Sequence, residues 1–163
     1  MAPRDPGLKL ARVRTLDSLC QGKLARDVLY QERELLKRIK VMVVDDSLQF
    51  ANAVVQFLAC SDIFEVLASA HSGHEALARA GSEQPDLMLI DVSMPGMSGL
   101  AVAALIKARK SPPKVVMMTL EASEKHRVGA IVAGADAFLP KEDFARDLHT
   151  AIETLFGACA IRP

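Results

Sequence analysis

From Lys40 onward the chain alternates short aliphatic runs with longer segments of 3.6-residue apolar spacing, and this alternation confines it to an α/β fold on a parallel sheet. Five runs read as strands: Val41 to Val44, Phe64 to Ser69, Leu87 to Ile90, Val115 to Thr119 and Ala137 to Leu139. A helical stripe follows each of them. The first is Phe50, Val54, Phe57 and Leu58, and the second Ala76, Leu77 and Ala80. Leu100, Ala103, Ala104 and Ile106 form the third, Val128, Ile131 and Val132 the fourth, and Phe144, Leu148, Ile152 and Leu155 the fifth. Strands such as Leu87 to Ile90 are apolar on both faces, so right-handed crossovers must place helices on each side in a doubly wound sheet. With six Phe, one Tyr and no Trp, the core has to be aliphatic.

The 163 residues, half apolar and a quarter charged, suit one globular domain with a short appendage and exclude a disordered chain. A balanced total charge hides an asymmetry. Residues 1–40 carry ten Lys/Arg and five Asp/Glu, a net +5, whereas residues 41–163 carry ten and fifteen, a net −5. Residues 1–39 therefore read as a separate N-terminal helical extension, 40–156 as the domain and 157–163 as a C-terminal tail. Leu24, Val28, Leu35 and Ile39 mark an amphipathic helix over 24–39, residues 8–20 form another, and Gly22 breaks them. A helix packed on its own domain and a helix that forms a homodimer both stay open. The acidic residues among its basic ones argue against a membrane surface. Cys20, Cys60 and Cys159 are odd in number and lack C-x-x-C spacing, so they read as free thiols in a reducing, cytoplasmic setting. No apolar run approaches the roughly 18 residues of a membrane span.

In a doubly wound sheet, ligands bind outside the carboxyl ends of the strands where the winding reverses. The first strand ends in Asp45-Asp46, the third in Asp91, the fourth in Thr119, and Lys141 follows the fifth. Three carboxylates gathered on one rim repel one another, so they trap a proton or bind a divalent cation. Oxygen ligands select Mg²⁺ or Mn²⁺, with Asp46 and Asp91 as direct ligands, Asp45 one water away and Ser93 offering its backbone carbonyl. Lys141 as a point charge and Thr119 as a hydroxyl donor then suit an anion on the metal, and a phosphoryl group fits.

Val-Val-Asp45-Asp46, Asp91-Val-Ser-Met-Pro-Gly-Met-Ser-Gly99, Met-Met-Thr119 and Gly134-Ala-Asp-Ala-Phe138-Leu-Pro-Lys141 closely resemble the CheY-like receiver domains of two-component response regulators. The resemblance covers about residues 40–156, with intervals of 45 residues from Asp46 to Asp91, 28 to Thr119 and 22 to Lys141. It implies a flavodoxin-like fold with strand order 2-1-3-4-5 and Asp91 as phosphoacceptor. A histidine kinase or histidine phosphotransfer protein would be the donor and a downstream protein the partner. Thr119 and Phe138 would form the switch, with Ser93 and Glu121 flanking the phosphoryl group. Such a chain is a signalling phosphoacceptor rather than an enzyme, assisting only its own phosphotransfer and dephosphorylation.

Four positions bear on how closely the family pattern is met. Leu120 replaces a small residue and is expected to crowd the mouth of the site. Glu142 stands where a Pro is usual, and Pro140 precedes Lys141, which suits an edge strand. Phe138 lacks the hydroxyl of a Tyr. Only seven residues follow Phe156, which favours a stand-alone switch without direct nucleic-acid or membrane binding. The receiver portion of a longer DNA-binding transcriptional regulator is the alternative, on the strand Phe64 to Ala70 and on Lys141-Glu-Asp. A Mg²⁺-dependent phosphohydrolase is disfavoured because Asp45 and Asp46 are adjacent rather than alternating, so both cannot face one site from a strand. A flavin site lacks its phosphate loop. Asp45-Asp46 as a simple helix cap is the competing structural reading. His71-x-x-His74 has no adjacent carboxylate or thiol to complete a metal site.

Overall fold

Side-chain parity along the strands decides which helix covers which face, and the computed structural model, which describes residues 38–157, shows the division directly. In order the elements are β1 (Ile39–Val44), α1 (Leu48–Ala59), β2 (Phe64–Ala70), α2 (Gly73–Glu83), β3 (Leu87–Asp91), α3 (Gly99–Lys107), β4 (Lys114–Thr119), α4 (Glu124–Val132) and β5 (Ala137–Pro140). A 3₁₀ turn (Lys141–Asp143) then leads into α5 (Phe144–Phe156). The five strands form one parallel sheet in the order β2-β1-β3-β4-β5, as the resemblance implies. Val41 and Val43, Leu87 and Leu89, and Val116 and Met118 point to the face covered by α1 and α5, through Val54, Leu58, Leu148 and Ile152. Their alternates Met42, Val44, Met88, Ile90, Val115 and Met117 point to α2, α3 and α4. All five residues of β3 are buried.

Serine starts four of the five α-helices among the described residues. Ser47, Ser72, Ser98 and Ser123 accept from the backbone N–H of Phe50, Glu75, Ala101 and His126, each satisfying one donor that the first turn leaves free. Asp45 and Asp46 are thereby released from capping α1, and the competing structural reading of that pair falls.

Several expectations need correction. Ile39, counted as the last apolar position of the N-terminal helix, is the first residue of β1 and pairs with Phe64. Each strand also runs a residue or two beyond its expected limits. On α3 the buried position is Val102 rather than Ala104. On α4 the expected stripe is reversed. Val128, Ile131 and Val132 are 48%, 69% and 82% exposed, because α4 packs through its small residues. Ala130 is buried, and Gly129 faces Leu100, whose Cδ1 would stand 2.9 Å from any added Cβ. Phe57 likewise remains partly exposed, 5.9 Å edge-on from Phe144. The N-terminal extension up to residue 37, with Cys20, and the tail beyond residue 157, with Cys159, lie outside the described residues. Cys60 is a free, exposed thiol. Among the described residues no helix is long and apolar enough to cross a membrane.

At the amino end of β4 and β5, Asp136 ties three elements together. It accepts from Lys107 Nζ at 2.7 Å, Lys114 Nζ at 3.3 Å and the Val115 N–H at 2.8 Å. Burial opposes its ionisation, but these donors outweigh burial and hold the carboxyl below its ordinary value of 3.8. A depressed carboxylate contributes stability above its unfolded value and loses it as pH falls through the folded one. We therefore expect Asp136→Asn to cost about 2 kcal/mol at pH 7 by urea denaturation. The deficit should shrink below pH 3.8.

Candidate functional site

The carboxyl ends of β1 and β3 are neighbours in the sheet, so the residues that end them must meet. Asp45 follows β1 and Asp91 closes β3, and both are buried, at 0% and 4% exposure, while Asp46 faces solvent. Carboxylate oxygens of Asp45, Asp46 and Asp91 all lie within 4.8 Å of one another. Lys141 reaches them from the turn after β5. Its Nζ stands 2.6 Å from Asp45 Oδ2 and 3.1 Å from Asp91 Oδ1, on a side chain only 5% exposed. The Phe50 ring closes the other side, its centroid 4.5 Å from Nζ, where the electron-rich face attracts the ammonium. Phe50 is itself held edge-on against Phe144 at 6.1 Å.

Three carboxylates and one ammonium leave a formal charge of −2. Asp45 Oδ1 accepts from the Ser47 N–H at 2.9 Å, but the buried Oδ2 accepts no hydrogen bond of adequate geometry despite its closeness to Lys141. A buried, charged oxygen left without a hydrogen bond is costly unless another ligand completes it. An all-oxygen donor set with that residual charge fits one hard divalent cation, Mg²⁺ or Mn²⁺.

Burial pushes the Asp91 carboxyl above its ordinary value of 3.8, and the Asp45 charge adds to this, while Lys141 and the Ser93 backbone N–H oppose it. Gly99 opens α3 against the Asp91 backbone. A Cβ there would sit 1.8 Å from the Asp91 carbonyl oxygen, so only glycine allows the approach.

The structure brings Asp45, Asp46, Asp91 and Lys141 together. It directs Thr119 elsewhere. The hydroxyl donates to the Glu121 carbonyl at 3.0 Å and accepts the Glu121 N–H at 3.1 Å, so it serves its own loop. That carbonyl also lies 2.9 Å from the Ser123 N–H and 2.8 Å from His126 Nδ1. Phe138 is half-buried in β5, with the Arg127 guanidinium 5.5 Å from its ring centroid. Leu120, expected to crowd the mouth, is 73% exposed and projects into solvent. Pro140 pairs with Thr119 on the edge strand, and all peptide bonds among the described residues are trans. His71 does not join His74 in a metal site; it turns inward to the Asp45 carbonyl, whereas His74 is exposed.

Comparison with known proteins agrees with this geometry. Residues 41–153 match the response regulator receiver domain family. The chain is 35% identical over 120 residues to a protein-glutamate methylesterase/protein-glutamine glutaminase of Idiomarina loihiensis, covering 72% of this chain and 31% of that protein. It is 33% identical over 126 residues to response regulator protein VraR of Staphylococcus aureus, covering 77% of this chain and 60% of that one. The chain thus spans about a third of the length of the first of these relatives. A crystal structure of a LuxR-family DNA-binding response regulator from Staphylococcus aureus superposes with a TM-score of 0.67 at 28% identity, covering 71% of this chain and 97% of that one.

A carboxyl whose folded pKa is raised loses stability as pH climbs from 3.8 through the folded value, so a cost is present at neutral pH. Asp91→Asn removes that cost. Without divalent cations at pH 7 the variant should melt above the parent protein, and the difference should close as the pH falls toward 4, as followed by circular dichroism.

Proposed function

Since the chain belongs to the response regulator receiver domain family, we propose that it is a phosphoacceptor whose Asp91 takes a phosphoryl group and thereby changes a protein-binding surface. The observation that carries this reading is the cluster itself: three carboxylates within 4.8 Å, balanced by a single buried lysine. The proposed domain is 40–156, with 1–39 as an extension and 157–163 as a tail. The donor is a histidine kinase or histidine phosphotransfer protein, the output a downstream protein, and the setting cytoplasmic. A homodimer through the extension belongs to the same reading.

Asp46, Asp91 and Asp45, with the Ser93 carbonyl, would hold Mg²⁺ or Mn²⁺, which when bound offsets the negative charge gathered on the transferred oxygens. Asp91 is the nucleophile. One of its carboxylate oxygens bonds to phosphorus in line as the phosphorus–nitrogen bond of the donor histidine breaks, and the imidazole leaves with the electron pair. Lys141, already 3.1 Å from Asp91 Oδ1, stays beside the new acyl phosphate and balances its charge. Water later cleaves the phosphorus–oxygen bond and returns the carboxylate and inorganic phosphate. Ser93 and Glu121 flank the group and set its lifetime.

Thr119 supplies the switch. Its hydroxyl exchanges the Glu121 carbonyl, 3.0 Å away, for a phosphoryl oxygen. Hydrogen bonds to a charged group are worth about 1.5–3 kcal/mol each. Those from Lys141 and Thr119 together approach the ~5.5 kcal/mol that inverts a 1:99 equilibrium. Phe138 turns inward behind Thr119, driven by burial alone because it has no hydroxyl.

A second reading is favoured by the length comparison, since both curated relatives carry additional chain: this receiver is the input portion of a longer regulator, DNA-binding as in the superposed LuxR-family response regulator. The chemistry at Asp91 is the same in either case.

Intact mass after incubation with Mg²⁺ and a small acyl phosphate tests the shared chemistry. We expect a gain of one phosphoryl group that disappears in Asp91→Asn and with EDTA, and that accumulates slowly in Lys141→Ala. A gain that persists in Asp91→Asn, or none in folded protein given its own phosphodonor kinase, would overturn the assignment.

A further inference from the structure

The β1–β2 ladder ends where the acidic cluster begins. Asp45 N–H donates to the Ala70 carbonyl at 3.0 Å, the last bond between these two edges. A continued parallel ladder would then bring a backbone N–H from β2 to the Asp45 carbonyl. β2 stops at Ala70, and Ser72 already caps α2, so the chain has turned away. Beside that carbonyl stands the His71 ring, with Nδ1 3.0 Å from the oxygen. A carbonyl can only accept, so Nδ1 carries the hydrogen, and in the neutral ring Nε2 is left to accept from Ser69 Oγ at 3.4 Å. The backbone of His71 is fixed as well. Its N–H donates to Glu75 Oε2 at 2.9 Å, and Glu75 Oε1 takes the Arg79 Nε–H at 2.9 Å.

We infer that His71 is a positioning residue for the cation site: its Nδ1–H replaces the missing ladder donor and fixes the Asp45–Asp46 peptide, and with it the aim of two carboxylates. The inference rests on the cation-binding reading of the cluster. Asp46 needs such help because its side chain is exposed and no hydrogen bond among the described residues holds it. The Asp45 carboxylate is anchored separately by the Ser47 N–H, and the Asp45 carbonyl is held by His71. His71 touches none of the reacting atoms. It acts through the backbone.

The test is Mg²⁺ affinity by isothermal titration calorimetry on the full chain, for the parent protein, His71→Leu and His71→Asn. Asn places an amide nitrogen close to the position of Nδ1 and keeps the donor, whereas Leu keeps bulk and removes it. His71→Leu should bind Mg²⁺ about three- to tenfold more weakly, the worth of one net hydrogen bond, and His71→Asn should recover most of the loss. In nitrogen-15 correlation spectra without metal, the Asp46 amide resonance should shift in His71→Leu and return toward the parent position in His71→Asn. Circular dichroism melts separate folding from positioning. Equal Mg²⁺ affinity in a folded His71→Leu variant, or equal loss in both variants, would overturn the inference and leave the cation site standing. Absence of Mg²⁺ binding in the parent protein would overturn the cation-binding reading itself.

Discussion

Among the described residues one ammonium group, Lys141 Nζ, pairs with Asp45 and Asp91 in a cluster of three carboxylates at the end of the sheet where β1 and β3 adjoin. The strands around it are apolar and close-packed, so like charges cannot be relieved by solvent at Asp45 or Asp91. That pairing alone leaves two negative charges uncompensated. The cluster therefore keeps a residual negative charge, which under the proposed reading a divalent cation would offset. Everything nearby serves to keep this arrangement fixed. Phe50 backs the lysine, Ser47 and His71 brace Asp45 from two directions, and Gly99 lets α3 start against the Asp91 backbone.

The same uncompensated charge bears on the proposed switch. Thr119 sits at the end of β4 beside Asp91, yet its hydroxyl is committed to Glu121. The Glu121 carbonyl lies within hydrogen-bond distance of three groups, Thr119, Ser123 and His126, so the β4–α4 loop is closed on itself. Under the proposed phosphorylation, a charged acceptor at Asp91 would compete with the Glu121 carbonyl for the Thr119 hydroxyl. The exposed aliphatic residues of α4, Val128, Ile131 and Val132, are set outward by packing through Gly129 and Ala130.

Much of this was legible in the sequence, for physical reasons. Strand and helix alternation follow from burial on two faces of a parallel sheet, and strand ends on one rim follow from topology, so Asp45, Asp46, Asp91, Thr119 and Lys141 could be placed before any coordinates. Helix faces were less legible. On α4 the larger apolar residues pointed outward because small residues made the contact, and a periodicity count weights size over fit. Phe50 read as a core position. Its place one helical turn beyond Asp46, which returns it to the site, became informative only once Lys141 was positioned. His71 carried no readable signal, since its bond to Asp45 joins residues 26 apart through a side chain at a strand end.

The central claim is electrostatic, and a double-mutant cycle between Lys141 and Asp91 tests it most directly. Stability in EDTA at pH 7 would be measured by urea denaturation for the parent protein, Asp91→Asn, Lys141→Met and the double variant. If one lysine holds the cluster, Lys141→Met costs about 3–5 kcal/mol. Asp91→Asn then stabilises the Met background by at least about 1 kcal/mol more than it stabilises the parent. An equal effect of Asp91→Asn in both backgrounds, additive within about 0.5 kcal/mol, would contradict the account.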